Sequence, residues 1–335
     1  MSISKAFRQT VDKAKDKAGE VLDSLTPDDE PVGQKPQPVT RKALVIVFNP
    51  TISSEGGRKL SQVMGWNDTG KLISGYIPDV RECSFVYANY QVVETIEVDR
   101  FPVKLDGFAY TGDSFMKCIR SGAGFHQPDA VDYHRILADF DIIRRIDSGA
   151  IDEVWLFGFP YGGFYESIMP GPGAFWCNAP PLEKTDHCSR RFVIMGYNYE
   201  RGVGEMLENL GHRAESIMKH VFRNKRGDDN LWERFARYDK THPGQAEVGI
   251  VHYAPNSTKD YEWGRRARVK SRHHVWQKFP DLDGNPLEVD SDEWGKGDTR
   301  EHHLWWFRHF PHITGSSGGV GYNWWRYVVD PNTVR

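Results

Sequence analysis

Short apolar runs alternate with amphipathic stretches along most of this chain. ALVIVF at 43–48, EVWLFGF at 153–159 and the run at 190–197 are compact and apolar, which is typical of strands buried on both faces of a sheet. The stretch Tyr90–Val98 alternates β-branched and polar residues, which also predicts a strand. A further apolar run, EVGIVHY at 247–253, predicts one more strand of the same sheet.

Helices are predicted between these strands by apolar residues at three- and four-residue spacing and by capping residues at their starts. The predicted helices run from Ser53 or Ser54 to about Trp66, from Asn67 and Asp68 to about Cys83, over Asp132–Asp147, from Glu205 to about Phe222, and over Thr299–Phe310. Strands that alternate with helices indicate βαβ units. The pattern therefore predicts an α/β fold with a doubly wound, mostly parallel sheet.

The two ends of the chain differ from this α/β region. Residues 1–42 combine a basic amphipathic stretch with a Pro-rich polar segment. They predict a docking helix on a tether, an oligomerisation tag, or a terminus that packs weakly on the main domain. Residues 43–335 are predicted to form a single domain with its core at 43–255. Residues 256–335 are expected to form a Trp- and His-rich elaboration packed on that core, because most of the 11 Trp lie from Trp232 onward.

Composition and charge argue against several classes of protein. The formal net charge is −3, whereas a general nucleic-acid binder needs an excess of basic residues. No apolar run reaches the length of a membrane span, and the N-terminus lacks the apolar core of a secretory signal. We therefore expect no transmembrane segment, synthesis in the cytoplasm, and any export to use a dedicated machine, as for an injected effector.

The cysteines leave three alternatives open. Cys177 and Cys188 flank a Pro-rich loop, and His187 adjoins the second of them. Free buried thiols, a loop-closing disulfide and a Cys–His–Cys metal knuckle all fit this arrangement, although the spacing matches no strong zinc pattern. A disulfide would matter only if the protein leaves the cytoplasm.

The predicted helix after the strand at 190–197 carries four ionisable residues on one face. Within an arc of about 80°, opposite a continuous apolar side, lie Glu205, Glu208, His212 and Glu215. Three carboxylates on one face repel one another unless a metal, an arginine or water offsets their charge. The simplest alternative is a solvated helix face. Because open α/β sheets carry their sites where a strand hands over to a helix, we expect chemistry here.

Two of these residues have the spacing of metal ligands on a helix. Glu208 and His212 are one helical turn apart, so both can bind one divalent ion, most typically zinc. The third ligand has to come from another segment, and His252, at the end of the last predicted strand, is the best candidate. Glu205 or Glu215 is then free to act as general base on water activated by the metal. A metal-free alternative uses paired carboxylates as acid and base, as glycosidases do.

A loop rich in Gly, Pro and aromatic residues, at 159–181, presents side chains over the sheet edge. Its aromatic residues either form stacking walls for a sugar or peptide or simply cover the sheet. Among its polar residues, Glu166 is a further candidate catalytic carboxylate. With the asparagines expected at the same rim, and an arginine that can orient a substrate carboxylate, the predicted substrate-binding residues are Asn49, Tyr161, Tyr165, Trp176, Asn178, Arg201 and Asn256.

These patterns predict a metal-dependent hydrolase that acts on a peptide or a glycan-like substrate, in an exported or injected effector. The turn before Glu205 is neither GxGxxG nor a P-loop, and the loop at 159–181 lacks GxSxG, so nucleotide binding and serine hydrolysis are not predicted. The alternative is a non-enzymatic binding or cargo protein whose aromatic rim holds a ligand. In both cases the N-terminal helix implies a docking partner.

Overall fold

The computed structural model describes residues 31–335, and the predicted N-terminal helix lies outside them. Within the predicted tether, Gly33 and Gln34 exchange backbone hydrogen bonds with Thr314, at N···O distances of 3.0 and 2.9 Å. The first strand then begins at Val39, ahead of the predicted start of the domain. Residues 39–42, predicted as tether, are therefore part of the central sheet.

The described elements alternate between strands and helices. In chain order, the strands are β1 (Val39–Phe48), β2 (Thr51–Ile52), β3 (Arg58–Lys59), β4 (Ala88–Val98), β5 (Glu153–Gly158), β6 (Ser167–Ile168), β7 (Ile194–Asn198), β8 (Val269–Ser271), β9 (Leu287–Val289), β10 (His312–Ser317) and β11 (Val320–Asn323). The helices are α1 (Leu60–Met64), α2 (Thr69–Cys83), α3 (Gly112–Ser121), α4 (Tyr133–Asp139), α5 (Ile142–Asp147), α6 (Val203–Val221), α7 (Leu231–Phe235), α8 (Thr299–Phe307) and α9 (Trp324–Val329). Short 3-10 turns lie at Ser53–Glu55, Gly227–Asp229, His273–Lys278 and Pro331–Thr333. In the described part of the chain, no helix is long and apolar enough to cross a membrane.

The central sheet has the strand order β4-β1-β5-β7-β6. Its first four strands are parallel, and β6 joins the edge antiparallel to β7. All of β5 and most of β1 are buried, as expected for strands covered on both faces. The predicted mostly parallel α/β sheet is confirmed, and the antiparallel edge strand is an addition to it.

Helical segments pack on both faces of this sheet. Trp155 of β5 lies beside Val45 of β1, and its ring packs against Tyr76 of α2 with 5.4 Å between centroids. Side chains alternate between the two faces along a strand, so Phe48 points to the opposite face from Val45. There the ring of Phe48 lies 6.4 Å from that of Phe140, at the end of α4.

Two predicted helices are wrong in extent. In place of the first half of the helix expected to end near Trp66, β2 and β3 form a hairpin. Gly56 and Gly57 in its loop have φ angles of 73° and 72°, a left-handed conformation that glycine adopts readily and that ends a helix. The helix predicted over 132–147 is split into α4 and α5, because Asp141 between them has a φ of 53°. Helix α3 was not expected from the sequence.

The predicted strand at 247–253 is also wrong. This segment contains a tight turn in which Ile250 and Tyr253 exchange two backbone hydrogen bonds of 3.0 Å. Gly249 has a φ of 93°, and a Cβ there would lie 2.2 Å from the carbonyl oxygen of Tyr253. The run is apolar because it is buried against α6, where Val251 approaches closely, and not because it belongs to the sheet.

The C-terminal third forms an aromatic layer on the α/β core, as predicted. Phe222, just beyond α6, lies 5.6 Å from the ring of Trp324 of α9. Trp324 in turn packs with Phe235 and Phe310, at 5.5 and 5.6 Å between ring centroids. Helix α8 contacts α6, and it ends at Phe307, slightly before the predicted end. This layer therefore contacts the helix on which the ionisable face was predicted.

All four cysteines are free thiols. The Sγ atom of Cys177 lies 3.5 Å from Oγ of Ser167, and that of Cys188 lies 3.4 Å from Oδ1 of Asp147. Burial raises the pKa of both thiols. Of the alternatives for this pair, the structure has free buried thiols, which are poor nucleophiles in this state.

Candidate metal centre

Helix α6 follows β7 and carries the predicted ionisable face. At its start, the carboxylate of Glu205 accepts a hydrogen bond of 3.0 Å from the N–H of Gly202, which would otherwise lack a partner in the helix. Toward the sheet, the guanidinium group of Arg213 donates to Glu153 at 3.0 Å, and both side chains are buried. This ion pair fixes the rotation of the helix and with it the direction of the neighbouring His212.

The side chains of Glu208, His212 and His252 converge at one point. The Nε2 atom of His252 lies 3.0 Å from Oε1 of Glu208 and 3.0 Å from Nε2 of His212. The third edge of this triangle, from Nε2 of His212 to Oε1 of Glu208, is 3.8 Å. One tetrahedral zinc ion with bonds of ~2.0–2.1 Å holds its ligand atoms roughly 3.3–3.4 Å apart. The three atoms can therefore share one ion after shifts of about half an ångström or less.

Each histidine of this triad has a carboxylate at its other ring nitrogen. Nδ1 of His212 lies 3.5 Å from Oε2 of Glu215, and Nδ1 of His252 lies 3.2 Å from Oδ1 of Asp260. A carboxylate at Nδ1 keeps a proton there and leaves Nε2 available as a ligand. Metal-binding histidines commonly have such a partner, so Glu215 and Asp260 occupy the positions that supporting carboxylates take around a metal.

The electrostatics of the triad favour a cation. Burial lowers the pKa of His212, but hydrogen bonds with Glu208 and Glu215 and the charge of Glu166 outweigh it and raise that pKa to about 10. Burial raises the pKa of Glu208, but hydrogen bonds from His212 and His252 hold it well below its usual range. A divalent ion competes for the nitrogen that holds this proton, so metal binding should release a proton.

The turn that carries His252 is held from two sides. Oε1 of Glu215 accepts the N–H of Val251 at 3.0 Å, and Nε2 of His302, from α8, lies 3.2 Å from the carbonyl oxygen of the same residue. Gly211 of α6 allows the turn to come this close, because a Cβ there would lie 2.6 Å from Cγ2 of Val251. A glycine, a buried carboxylate and a histidine from the C-terminal layer thus place the third candidate ligand.

A cleft of about 290 Å³ opens beside the triad, at the carboxyl ends of β5 and β7. Glu166 reaches from this cleft toward the triad, with its Oε2 atom 3.8 Å from Nε2 of His212. Asn178 donates a hydrogen bond to the same carboxylate. Glu166 is outside the group of three atoms that could share an ion, so it borders the site without being one of its ligands.

The structure brings most of the predicted catalytic and metal-binding residues together. Four of the residues predicted from the sequence line the cleft together with Glu208, namely Tyr161, Glu166, Arg201 and Glu205. Asn178 adjoins the cleft through Glu166. Glu215 lies on the Nδ1 side of His212, away from the converging Nε2 atoms.

The remaining predicted substrate-binding residues lie elsewhere. Tyr165 and Trp176 are on the same loop as Glu166 and are exposed, but they do not line the cleft. Asn49 exchanges hydrogen bonds of 3.0 and 3.1 Å with Ser61. Asn256 is buried and donates to two backbone carbonyls at 2.8 and 2.7 Å. Asn49 therefore stabilises the start of α1, and Asn256 holds the segment at residues 265–267 in place.

Sequence reasoning missed Asp260, Tyr261 and His302. The first two lie in a loop without periodicity, which returns to the site through a 3.2 Å hydrogen bond from the N–H of Tyr261 to the carbonyl of His252. The third is one of several histidines in an aromatic helix, and nothing in its spacing distinguishes it. A carboxylate shortly after a candidate histidine ligand was the only available signal, and that pattern is common.

The chain matches no protein-family model, no curated protein and no solved structure. A function therefore has to be argued from the residues that converge around Glu208, because fold alone does not determine activity.

Proposed function

We propose that the protein is a metal-dependent hydrolase in which Glu208, His212 and His252 hold one divalent ion, with zinc the best fit. Two imidazole nitrogens and one carboxylate oxygen are a ligand set that catalytic zinc accepts. Three protein ligands leave a position open for water or substrate, where zinc supplies Lewis-acid chemistry and lowers the pKa of water toward neutrality. A peptide or a glycan-like molecule is the proposed substrate.

One observation carries this proposal. Two Nε2 atoms and one carboxylate oxygen meet within 3.0 to 3.8 Å, while both Nδ1 atoms face carboxylates. A solvated helix face does not explain this, because His252 comes from a separate turn, which the Val251 N–H holds to Glu215, and its own Nδ1 atom lies at hydrogen-bond distance from Asp260.

Glu166 is the carboxylate that we assign as general base. Its side chain is 42 % exposed and borders both the cleft and the triad, so it can accept a proton from water at the open position. Glu205 is engaged in capping α6. Glu215 uses one oxygen for the N–H of Val251 and faces Nδ1 of His212 with the other, which fits a positioning residue better than a base.

The position of the cleft also fits a doubly wound sheet, which we infer from the strand order. β1 lies between β4 and β5, so the chain reverses its direction across the sheet after β4. In such sheets, ligands bind outside the carboxyl ends of the strands, at the point where the strand order reverses. That point lies between β1 and β5, and the cleft lies at the same edge of the sheet one strand further along, at the carboxyl ends of β5 and β7.

A second candidate is a binding or cargo protein without catalysis. Exposed aromatic side chains on the loop beside the cleft favour it, since Tyr161 is 43 %, Tyr165 41 % and Trp176 58 % exposed. Large exposed rings of this kind can hold a ligand by stacking. This candidate predicts ligand binding that is independent of zinc.

Export as an effector and docking through the N-terminal helix remain separate proposals, which rest on the sequence of residues 1–42. Their test is a deletion, and it should end at residue 30, because β1 begins at Val39 and the segment before it pairs with Thr314. Unchanged delivery or partner binding in the truncated protein would contradict both proposals.

The metal site is tested by metal analysis of the purified full chain after dialysis against a small excess of zinc. We expect about one zinc per chain in the wild type, and its loss in His212→Ala and His252→Ala. His242→Ala is the matched control, because His242 is exposed and outside the site. Folding of each variant is checked by its melting temperature. No retained zinc in the wild type, or equimolar zinc in His212→Ala, would contradict the proposed site.

Catalysis is tested separately with the chromogenic ester p-nitrophenyl acetate. Glu166→Gln should keep its zinc and lose roughly 100-fold or more in rate, which is the range that a general base contributes. Hydrolysis that needs neither zinc nor Glu166 would contradict the mechanism. Zinc binding without hydrolysis of any ester or amide tested would instead support the binding protein.

A further inference from the structure

Tyr261 lies at the open side of the triad. It lines the cleft together with Glu166 and Glu208. Its ring centroid is 4.3 Å from that of His252, and its N–H donates a hydrogen bond of 3.2 Å to the carbonyl oxygen of His252. The residue is 53 % exposed, so its side chain stacks beside one proposed ligand and remains open to a molecule in the cleft.

The backbone holds Tyr261 in an unusual conformation. Its φ is 58°, which is uncommon for a bulky residue other than glycine. The loop is fixed around it, because Glu262 accepts two hydrogen bonds from Thr258, at 2.8 and 2.7 Å, and its carbonyl accepts one from Ser257 at 3.1 Å. Strained residues that the surroundings fix in this way concentrate at functional sites.

The phenol of Tyr261 is a hydrogen-bond donor at neutral pH. The ordinary pKa of a phenol is about 10, so the hydroxyl group keeps its proton near neutral pH. A protonated hydroxyl group beside a Lewis-acid site is suited to an oxygen atom on which negative charge develops.

The charges of the cleft disfavour an anionic substrate. Glu166, Glu205 and Glu208 line it, Asp129 in the same lining is paired with Lys104 at 2.6 Å, and Arg201 is the one cationic side chain among the described lining residues. Arg201 lies 3.6 Å from the carboxylate of Glu200. Enzymes that transfer phosphoryl groups surround them with several cations, which this cleft does not provide.

From these observations, and resting on the proposed metal site, we infer that the bond hydrolysed is an acyl bond, that is, an amide or ester of an uncharged or cationic substrate. In this reaction Tyr261 is a catalytic residue that donates a hydrogen bond to the carbonyl oxygen of the substrate. A glycosidic bond has no carbonyl oxygen to receive this donor. The acyl group can belong to a peptide or be carried on a glycan.

The reaction balances with one water molecule. The water oxygen forms a bond to the carbonyl carbon while one of its protons passes to Glu166, and the electron pair of the C=O bond moves to the oxygen beside Tyr261. When that pair returns, the bond to nitrogen or oxygen breaks, and the proton on Glu166 passes to the leaving atom. A carboxylic acid and an amine or alcohol are the products.

Acetohydroxamate is a probe for this arrangement that requires no knowledge of the natural substrate. It binds zinc through a carbonyl oxygen and a charged oxygen, so a donor at the substrate oxygen should strengthen its binding. Binding to the zinc-loaded full chain is measured by calorimetry for the wild type, Tyr261→Phe and the control Tyr238→Phe. Tyr238 stacks on Tyr253 and does not line the cleft.

We expect equal zinc content in all three proteins and about 5-fold weaker acetohydroxamate binding in Tyr261→Phe alone, the effect of losing one hydrogen bond to a carbonyl oxygen. Equal binding in Tyr261→Phe and the wild type would overturn the role of Tyr261. Inorganic phosphate that binds the zinc-loaded protein more tightly than acetohydroxamate would overturn the acyl substrate. If the wild-type protein retains no zinc, the proposed metal site is wrong and the inference about Tyr261 is overturned with it.

Discussion

Gly211 offers a direct test of how the third candidate ligand is placed. An alanine Cβ there would lie 2.6 Å from Cγ2 of Val251, whereas carbon atoms in contact are ~3.5–4.0 Å apart. Val251 is β-branched and stiff, and its backbone is hydrogen-bonded on both sides, so the turn has to retreat by about 1 Å. Metal–ligand distances tolerate only about 0.2 Å. His252 follows Val251, so Gly211→Ala should disturb the metal site.

The expected result is a zinc affinity about 10- to 100-fold below that of the wild type, the range seen when the groups that support metal ligands are changed. Stability should change less, because alanine favours the helix by ~1 kcal/mol while overpacking costs ~1–3 kcal/mol. Zinc affinity is measured by competition with a chromophoric chelator, and folding by urea unfolding of the zinc-free protein.

Two variants control for this result. Gly75→Ala places a Cβ 2.9 Å from Cγ2 of Val203, a similar clash between α2 and α6 away from the triad, and should leave zinc affinity unchanged. Gly211→Ala combined with Val251→Ala removes the clashing methyl groups and should restore most of the affinity. A folded Gly211→Ala protein that binds zinc within twofold of the wild type would refute the proposed placement of His252.

Three further outcomes are expected. Arg213→Met leaves the buried Glu153 without its cation and should lower the free energy of unfolding in urea by about 3–5 kcal/mol. Adding Glu153→Gln removes the charge, keeps an acceptor for the donors of Trp155 and Tyr90 and should recover most of the loss, and a loss below about 1 kcal/mol in Arg213→Met would contradict the buried ion pair. Chelation of zinc present at 1,000 times its Kd should remove about 4 kcal/mol of stability and lower the melting temperature by roughly 6 °C, whereas His212→Ala should show no such shift. Burial lowers the pKa of His309 to about 3, so the folded protein keeps this residue neutral while the unfolded chain protonates it. Stability should therefore fall as pH drops from about 6.5 toward 3, by up to ~1.4 kcal/mol per pH unit for this residue. In His309→Asn, the free energy of unfolding measured with urea at each pH should depend less steeply on pH.

Elements whose pattern is local could be predicted from the sequence. Helix α6 has an apolar side and a polar side at helical spacing, and strands β1 and β5 are apolar because both faces of the sheet are covered. Glu208 and His212 needed only the helical repeat to be placed side by side. The prediction of a helix ending near Trp66 was wrong in its first half, because Gly56 and Gly57 have positive φ angles that a helix does not accommodate.

Features that depend on tertiary packing could not be predicted. His252 was selected as a ligand because it was expected at the end of a strand, yet it lies in a turn that packs on α6. Asp260 and Tyr261 approach the triad only because an irregular loop folds back onto His252. The prediction that Asn49 binds substrate at the rim was wrong because a partner nearby in the sequence, Ser61, already satisfies its hydrogen bonds. Such choices depend on which partner is closest in three dimensions.

The hydrogen bond from His302 to Val251 makes the proposed metal site depend on a segment that is synthesised after its three candidate ligands. Glu208 and His212 emerge from the ribosome long before α8 does, but the turn that presents His252 is held in part from α8. A growing chain therefore has the ligands without the support that orients them, and metal capture is expected to come after the C-terminal aromatic layer has folded. Zinc content of the isolated protein would then report the completeness of its fold as well as the presence of its ligands.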